Sequence, residues 1–344
     1  MLRSVQSKIL PGFKCIVTRC TALEHISISS SAVYRADMLS LLSNGVRLCK
    51  RLVTLRCPPL DLAAWEHLSN LPTLLTVAIS GEVLCPLNRN NYIFAPFVNV
   101  TVLTFHVDTV AYITAVLRHS EFPSLKEFEM HARAFPWTAA EQLFRSLSQC
   151  KACQTVQRIA MGSYFLGDQE PSLVGDSFTA VTHLLCFTQL QTLRLNFHCS
   201  IFLDNNLLLD AMSCWPHIRS LNLVGLRNTP IVTFCGLFTA LRLCPHLHTL
   251  GISIDAVNID IDPTAESFQH TTLQTLDLTK SRVADAKAVA RIISSMLPCV
   301  DRISRLPYGD DLPRAWNTVN RHLKSFKSSL APCRDITGTP SENT

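Results

Sequence analysis

Phe187, Leu190, Leu193 and Leu195 occupy places one, four, seven and nine of a nine-residue frame that recurs along almost the whole chain. Earlier copies carry Leu23, Leu52, Leu74, Val100, Leu125 and Val156 at the fourth place, and later ones Ile218, Leu247, Leu273 and a decayed copy at Val300. The seventh and ninth places are apolar and the residues between them are mostly polar or small. That alternation predicts a strand with one face buried. Between successive frames lie segments with apolar residues three and four apart, such as Met38 to Leu48 and Ala139 to Leu147, which predict helices. Further helices are expected over Leu60 to Leu68, Thr109 to Arg118, Asp176 to Phe187, Asn205 to Cys214, Pro230 to Leu243, Thr264 to Gln269 and Ala284 to Met296. Residues 1–19 are expected to hold an irregular helix bent at Pro11 and Gly12.

The mean spacing of the fourth place is about 28 residues, which points to leucine-rich repeats. With 47% hydrophobic residues the apolar pattern alone is weak, since roughly one window in twenty would match four fixed places by chance. Two further regularities carry the reading. Proline fills the second place in Pro72, Pro123, Pro216, Pro245 and Pro298, where 18 prolines in 344 residues predict fewer than one. Thr or Ser fills the sixth place in Thr54, Thr76, Thr192, Ser220, Thr249 and Thr275. Proline ends each helix, because it lacks an amide hydrogen and disfavours helical geometry in the residue before it. The expected fold class is therefore α/β, a leucine-rich-repeat solenoid with a curved parallel sheet on the concave side and helices on the convex side. Residues 1–330 form one array of about ten to eleven irregular repeats, and residues 331–344 form a disordered tail. A helix over about 310–328, amphipathic around Trp316, Val319 and Leu323, is expected to cap the open end.

Composition changes this picture little. A net charge of +5 contains no block of like charges, so no basic or acidic tail announces a nucleic-acid partner. Fourteen cysteines could suggest a disulfide framework, but Cys20, Cys49, Cys153 and Cys244 stand at the first apolar place, where buried free thiols act as small hydrophobes. A reducing compartment, cytoplasmic or nuclear, is expected. Lys8, Pro11 and Lys14 interrupt any apolar leader, and no uncharged run is long enough to span a membrane, so neither a secretory signal nor a membrane partner is expected.

None of the spaced motifs of enzyme chemistry is present, so a non-catalytic protein without cofactor or metal is expected. Cys150 and Cys153 form a lone C-x-x-C, with no second pair for zinc, and Cys153 already fills a core place. Asp255, Asp260 and Asp262 could hold a hard cation, although acids in such a loop are usually only solvated. What remains is surface. Places six, eight and ten point away from the core, and near the middle of the chain they bring His106, Glu127, Glu129 and His131 beside Arg158, Arg194 and Asn222. These residues are the candidate partner-binding set on the concave face, with an ordinary wetted sheet face as the competing interpretation. The loops at 81–96 and 162–175 are secondary candidates.

The motifs Trp215 to Leu223 and Cys244 to Ile252, each beginning with an apolar residue, Pro and His, resemble the irregular repeats of fungal F-box proteins. The ending from Tyr308 to Phe326, a Gly-Asp stretch followed by a Trp-containing helix, resembles that family too. The resemblance covers roughly residues 20–327. It implies the substrate-recognition part of a ubiquitin-ligase receptor, in which an F-box holds the Skp adaptor and the repeats select the protein to be modified. Two features depart from the pattern. Ser31, Asp108, His198 and Leu226 stand where a regular repeat carries Asn or Cys, and no F-box segment precedes the repeats, so a Skp-type adaptor is not expected to bind through this chain alone. The alternatives are a stand-alone scaffold, an inhibitor of ribonuclease-inhibitor type, or a truncated gene product.

Overall fold

The computed structural model describes residues 4–7, 22–28, 36–83, 93–133, 135, 137–163, 180–197, 201–225, 231–278, 280–304 and 313–330. Among the described residues eleven strands form one parallel sheet in chain order, each paired with its predecessor. They are β1 (Ser4–Ser7), β2 (His25–Ile28), β3 (Thr54–Cys57), β4 (Thr76–Gly81), β5 (Val102–Val107) and β6 (Glu127–Ala132), followed by β7 (Arg158–Ser163), β8 (Thr192–Phe197), β9 (Ser220–Gly225), β10 (Thr249–Ile252) and β11 (Thr275–Asp277). The helices are α1 (Ala36–Val46), α2 (Leu62–Ser69), α3 (Val110–Arg118), α4 (Trp137–Gln149), α5 (Asn205–Cys214), α6 (Phe234–Leu241), α7 (Ala286–Met296) and α8 (Arg314–Leu330), with a 3₁₀ turn at Ala180–Leu184. The architecture is α/β with a parallel sheet.

Register follows the sequence frame. Every strand from β2 to β11 begins at the sixth place of its repeat, and sixth places pair with sixth places, as in Thr54 with Thr76, Glu127 with Arg158 and Thr249 with Thr275. A slip of one residue would turn the buried set outward, and that set is fully committed: Leu55, Leu103, Phe128, Ile159, Leu193, Leu221, Leu250 and Leu276 at the seventh place all lie in the core.

Each junction is tied by one carbonyl that accepts two amides. The fifth-place carbonyl of Gln157 takes the N–H groups of Gln191 and Thr192, that of Arg219 takes those of His248 and Thr249, and the pattern holds from Glu24 to His248. The second-place proline also receives a sharper explanation. Residues one to four form a turn in which the fourth amide donates to the first carbonyl, as in Leu74 to Leu71, Leu125 to Phe122, Ile218 to Trp215, Leu247 to Cys244 and Val300 to Leu297. Proline then occupies the second turn position, where its fixed φ is favourable. His270, the one polar residue among the first places of the first ten copies, is buried. Its Nδ1 accepts the Leu273 amide at 3.2 Å, which makes Nε2 the protonated nitrogen that donates to the Cys244 carbonyl at 2.9 Å. The imidazole thus accepts the fourth-place amide that the first-place carbonyl accepts in the other turns.

Three expectations are corrected. Ser4–Ser7 is a strand rather than part of a helix, paired with β2 from Ser4 opposite His25 to Ser7 opposite Ile28. The exposed backbone edge of β2 would otherwise carry unmet hydrogen-bonding groups, and residues 8–21 lie outside the described residues. Thr264–Gln269 is a turn followed by irregular chain, not a helix: Asp262 closes a tight turn, its side chain accepting the Thr264 amide at 2.9 Å and its carbonyl the Ala265 amide at 3.1 Å. Of the helix expected over 176–187 only the 3₁₀ turn Ala180–Leu184 is seen, with 176–179 outside the described residues, as are the tail 331–344 and most of the loops at 81–96 and 162–175. The decayed eleventh copy contributes a bridge between Leu276 and Ile303, with Leu297, Val300 and Ile303 in the core.

Helix α8 covers this last copy. Trp316 is buried and its indole donates to the Ser281 carbonyl at 3.0 Å, while Val319 and Leu323 fill the core behind it. Asn320 accepts from the Ile303 amide at 2.7 Å and donates to its carbonyl at 2.9 Å, taking the place that another strand would occupy.

Candidate functional site

The outward face of β5 to β9 is built as three rows. Sixth-place residues give Val102, Glu127, Arg158, Thr192 and Ser220. Eighth-place residues give Thr104, Glu129, Ala160, Arg194 and Asn222. The tenth-place row runs His106, His131, Gly162, Asn196. Parallel register therefore places all seven candidate residues on one face, within five consecutive strands.

The tenth row holds the most ordered part. The His106 and His131 rings stack with centroids 5.1 Å apart and an 11° interplanar angle, and His131 Nε2 lies 3.2 Å from Glu129 Oε1. The His131 ring continues over β7, where Gly162 leaves room: a Cβ there would stand 3.3 Å from the Asn196 carbonyl oxygen and 3.4 Å from His131 Nδ1. Partial desolvation, followed by the neighbouring His131, lowers the His106 pKa below its ordinary value, and Glu129 opposes that shift. Asn222 uses glycine similarly, since a Cβ on Gly251 would meet its Oδ1 at 3.0 Å.

Charge on this face is divided rather than neutralised. Glu127 and Arg158 are register partners, and Glu129 and Arg194 flank Ala160 two strands apart, roughly 10 Å by strand spacing. Among the described residues His131 Nε2 meets Glu129 on this face, and neither arginine reaches a carboxylate. Strand β7 carries Arg158 at its sixth place and the small, buried Ala160 and Gly162 at its eighth and tenth, so in those two rows small residues stand between the acid and imidazole of β6 and Arg194, Asn196 and Asn222 on β8 and β9. Ala160 and Gly162 were the missed part of this site. The signal was present as two small residues in outward columns, but their value depends on which side chains register sets beside them.

Other candidate chemistry resolves into structure. Cys150 is buried with its sulfur 3.0 Å from the Leu147 carbonyl. Asp255 accepts from the Val257 and Asn258 amides, Asp260 from the Cys235 amide, and Asp262 from Thr264, so these carboxylates organise backbone. Among the described residues no group of three His, Cys, Asp or Glu side chains is placed to hold a metal ion, and no helix is long and apolar enough to cross a membrane. No protein-family model matches the chain, and no curated protein matches it at a significant level.

Proposed function

We propose that the chain is a leucine-rich-repeat solenoid that binds a protein partner through the outward face of β5 to β9 and performs no catalysis. The observation that carries this reading is the charge of that face: Arg158 beside Glu127 in the sixth row and Arg194 across Ala160 from Glu129 in the eighth, with neither arginine on a carboxylate among the described residues. Exposed opposite charges held a strand or two apart stabilise the fold little, whereas a partner with the complementary pattern makes full use of them and gains specificity. The partner that fits is a protein segment presenting acids to the arginines and a base to Glu127. Selection of a substrate for a ubiquitin ligase, as the resemblance to fungal F-box repeats implies, is one use of such a face, and a stand-alone scaffold or inhibitor is the other.

The test is affinity capture from cell extract with the wild-type chain and with a Glu127→Lys, Glu129→Lys, Arg194→Glu variant. These side chains are exposed or half-buried, so the variant should stay folded, while like charges across the interface should remove partners. Recovery of the same partners by both forms would move recognition elsewhere. Saturable turnover of a small molecule that depends on His106, His131 or Glu129 would replace binding by catalysis.

A further inference from the structure

Cys153 and Cys186 stand at the same corner of two consecutive repeats, where the chain leaves its helical layer and turns toward the sheet. Cys153 lies in the turn between α4 and β7, and Cys186 lies between the 3₁₀ turn and Phe187. Their sulfurs are 3.0 Å apart, and both residues are partly exposed. Cys153 Sγ also contacts the Ser148 carbonyl at 3.0 Å, and Cys186 Sγ the His183 carbonyl at 3.4 Å. The C-x-x-C spacing pointed to Cys150 as the companion of Cys153. Its thiol is instead buried and turned toward Leu147.

We propose that Cys153 and Cys186 are an oxidation site that closes to an intramolecular disulfide when the protein meets hydrogen peroxide, fastening two neighbouring repeats together. Closing the gap to bonding distance asks each sulfur to move well under an ångström, roughly 1 Å in total. In the first step the Cys153 thiolate attacks one peroxide oxygen and the O–O bond breaks. This gives a sulfenic acid and hydroxide, which takes up the proton lost from Cys153. In the second, the Cys186 sulfur attacks the sulfenic sulfur, the S–O bond breaks, and the hydroxyl leaves as water with the Cys186 proton. Two thiols have then lost two electrons and two hydrogens, and one peroxide has become two waters. Burial, reinforced by the Cys153 sulfur, pushes the Cys186 thiol up, so Cys186 reacts second, giving up its proton to the departing hydroxyl as its sulfur attacks. The site is independent of the binding face proposed above.

Tryptic cleavage separates the relevant sulfurs completely. Residues 146–151 carry Cys150, 152–158 carry Cys153 and 159–194 carry Cys186. The purified full chain is treated with hydrogen peroxide, its remaining thiols are alkylated, and the non-reduced digest is weighed. The expected product is peptide 152–158 joined to 159–194, released by reductant, present in Cys150→Ser and absent in Cys153→Ser and Cys186→Ser. Oxidation should also raise the thermal midpoint of the wild type, by several degrees as expected for a loop of this size, and of neither of the latter variants. Linkage of 146–151 to 152–158, linkage only between molecules, or recovery of both peptides separately modified would each overturn the proposal. Peptide mapping of the wild type decides the matter even if a serine variant folds poorly.

Discussion

His106 is exposed yet stacks its ring on His131, and its titration is the clearest consequence of register at a single residue. Its pKa lies below the ordinary 6.5, chiefly through desolvation and then through His131. The unfolded chain therefore binds this proton more readily than the folded one. The sign follows: the contribution of His106 to stability is complete above about pH 6.5 and is lost as pH falls through the folded value. Urea unfolding at about pH 7.5 and about pH 5 should show a smaller loss on acidification for His106→Gln than for the wild type. Equal losses would mean that the stacked ring does not feel its surroundings. Tyr112 shows the same dependence on neighbours without an exposed group: its hydroxyl accepts from the Leu60 amide at 2.9 Å and from the Trp65 indole at 2.7 Å and donates to the Leu60 carbonyl, which latches α2 to α3 inside the core.

Between elements, the tightest fit joins the starts of α5 and α6. Asn205 accepts from the Thr233 amide at 2.9 Å and donates to its hydroxyl at 3.1 Å, while Thr233 in turn caps α6 by accepting from the Gly236 amide. Gly236 is required by proximity, since a Cβ there would lie 2.0 Å from Asn205 Oδ1. Gly236→Ala should gain roughly 1 kcal/mol of helix propensity but lose more to the clash and the broken pair, for a net cost of about 1–2 kcal/mol. Adding Asn205→Ala removes the obstruction, so the double variant should be less destabilised than the two single losses added together. Strict additivity in denaturant unfolding would show that the two sites do not touch in solution.

At the scale of the molecule, each strand is held by its two neighbours, so the ends decide where unfolding begins. Asn320 supplies to Ile303 both hydrogen bonds that a further strand would supply. Asn320→Ala should leave those groups unmet and loosen the terminal repeat by about 2 kcal/mol, equivalent to roughly thirtyfold faster amide exchange at its protected positions. Exchange of β6 to β9 should hardly change. Uniform acceleration along the whole sheet would instead show that the chain opens as one cooperative unit.

The strands and their register were legible in the chain because the determining forces are local in period: apolar places seven and nine repeat in every copy but the decayed last one, and a sheet that slipped by one residue would expose all of them. The helices ending before Pro72, Pro123, Pro216, Pro245 and Pro298 were legible for a similar reason, since proline acts on its own turn. The outward position of Glu127, Glu129, Arg158 and Arg194 followed from the same alternation. Strand β1 was not legible, as its pattern is too short to repeat and only the open edge of β2 gives it a place. Thr264–Gln269 has helical spacing, yet the turn at Asp262 leads into irregular chain. The contacts themselves were decided in three dimensions: His106 on His131, the His131 ring against Gly162, Asn320 on Ile303, and Cys153 beside Cys186 rather than Cys150. Repetition specifies which residues share a row, but the distance between two side chains depends on how far each repeat advances over the last, and only the packed array sets that.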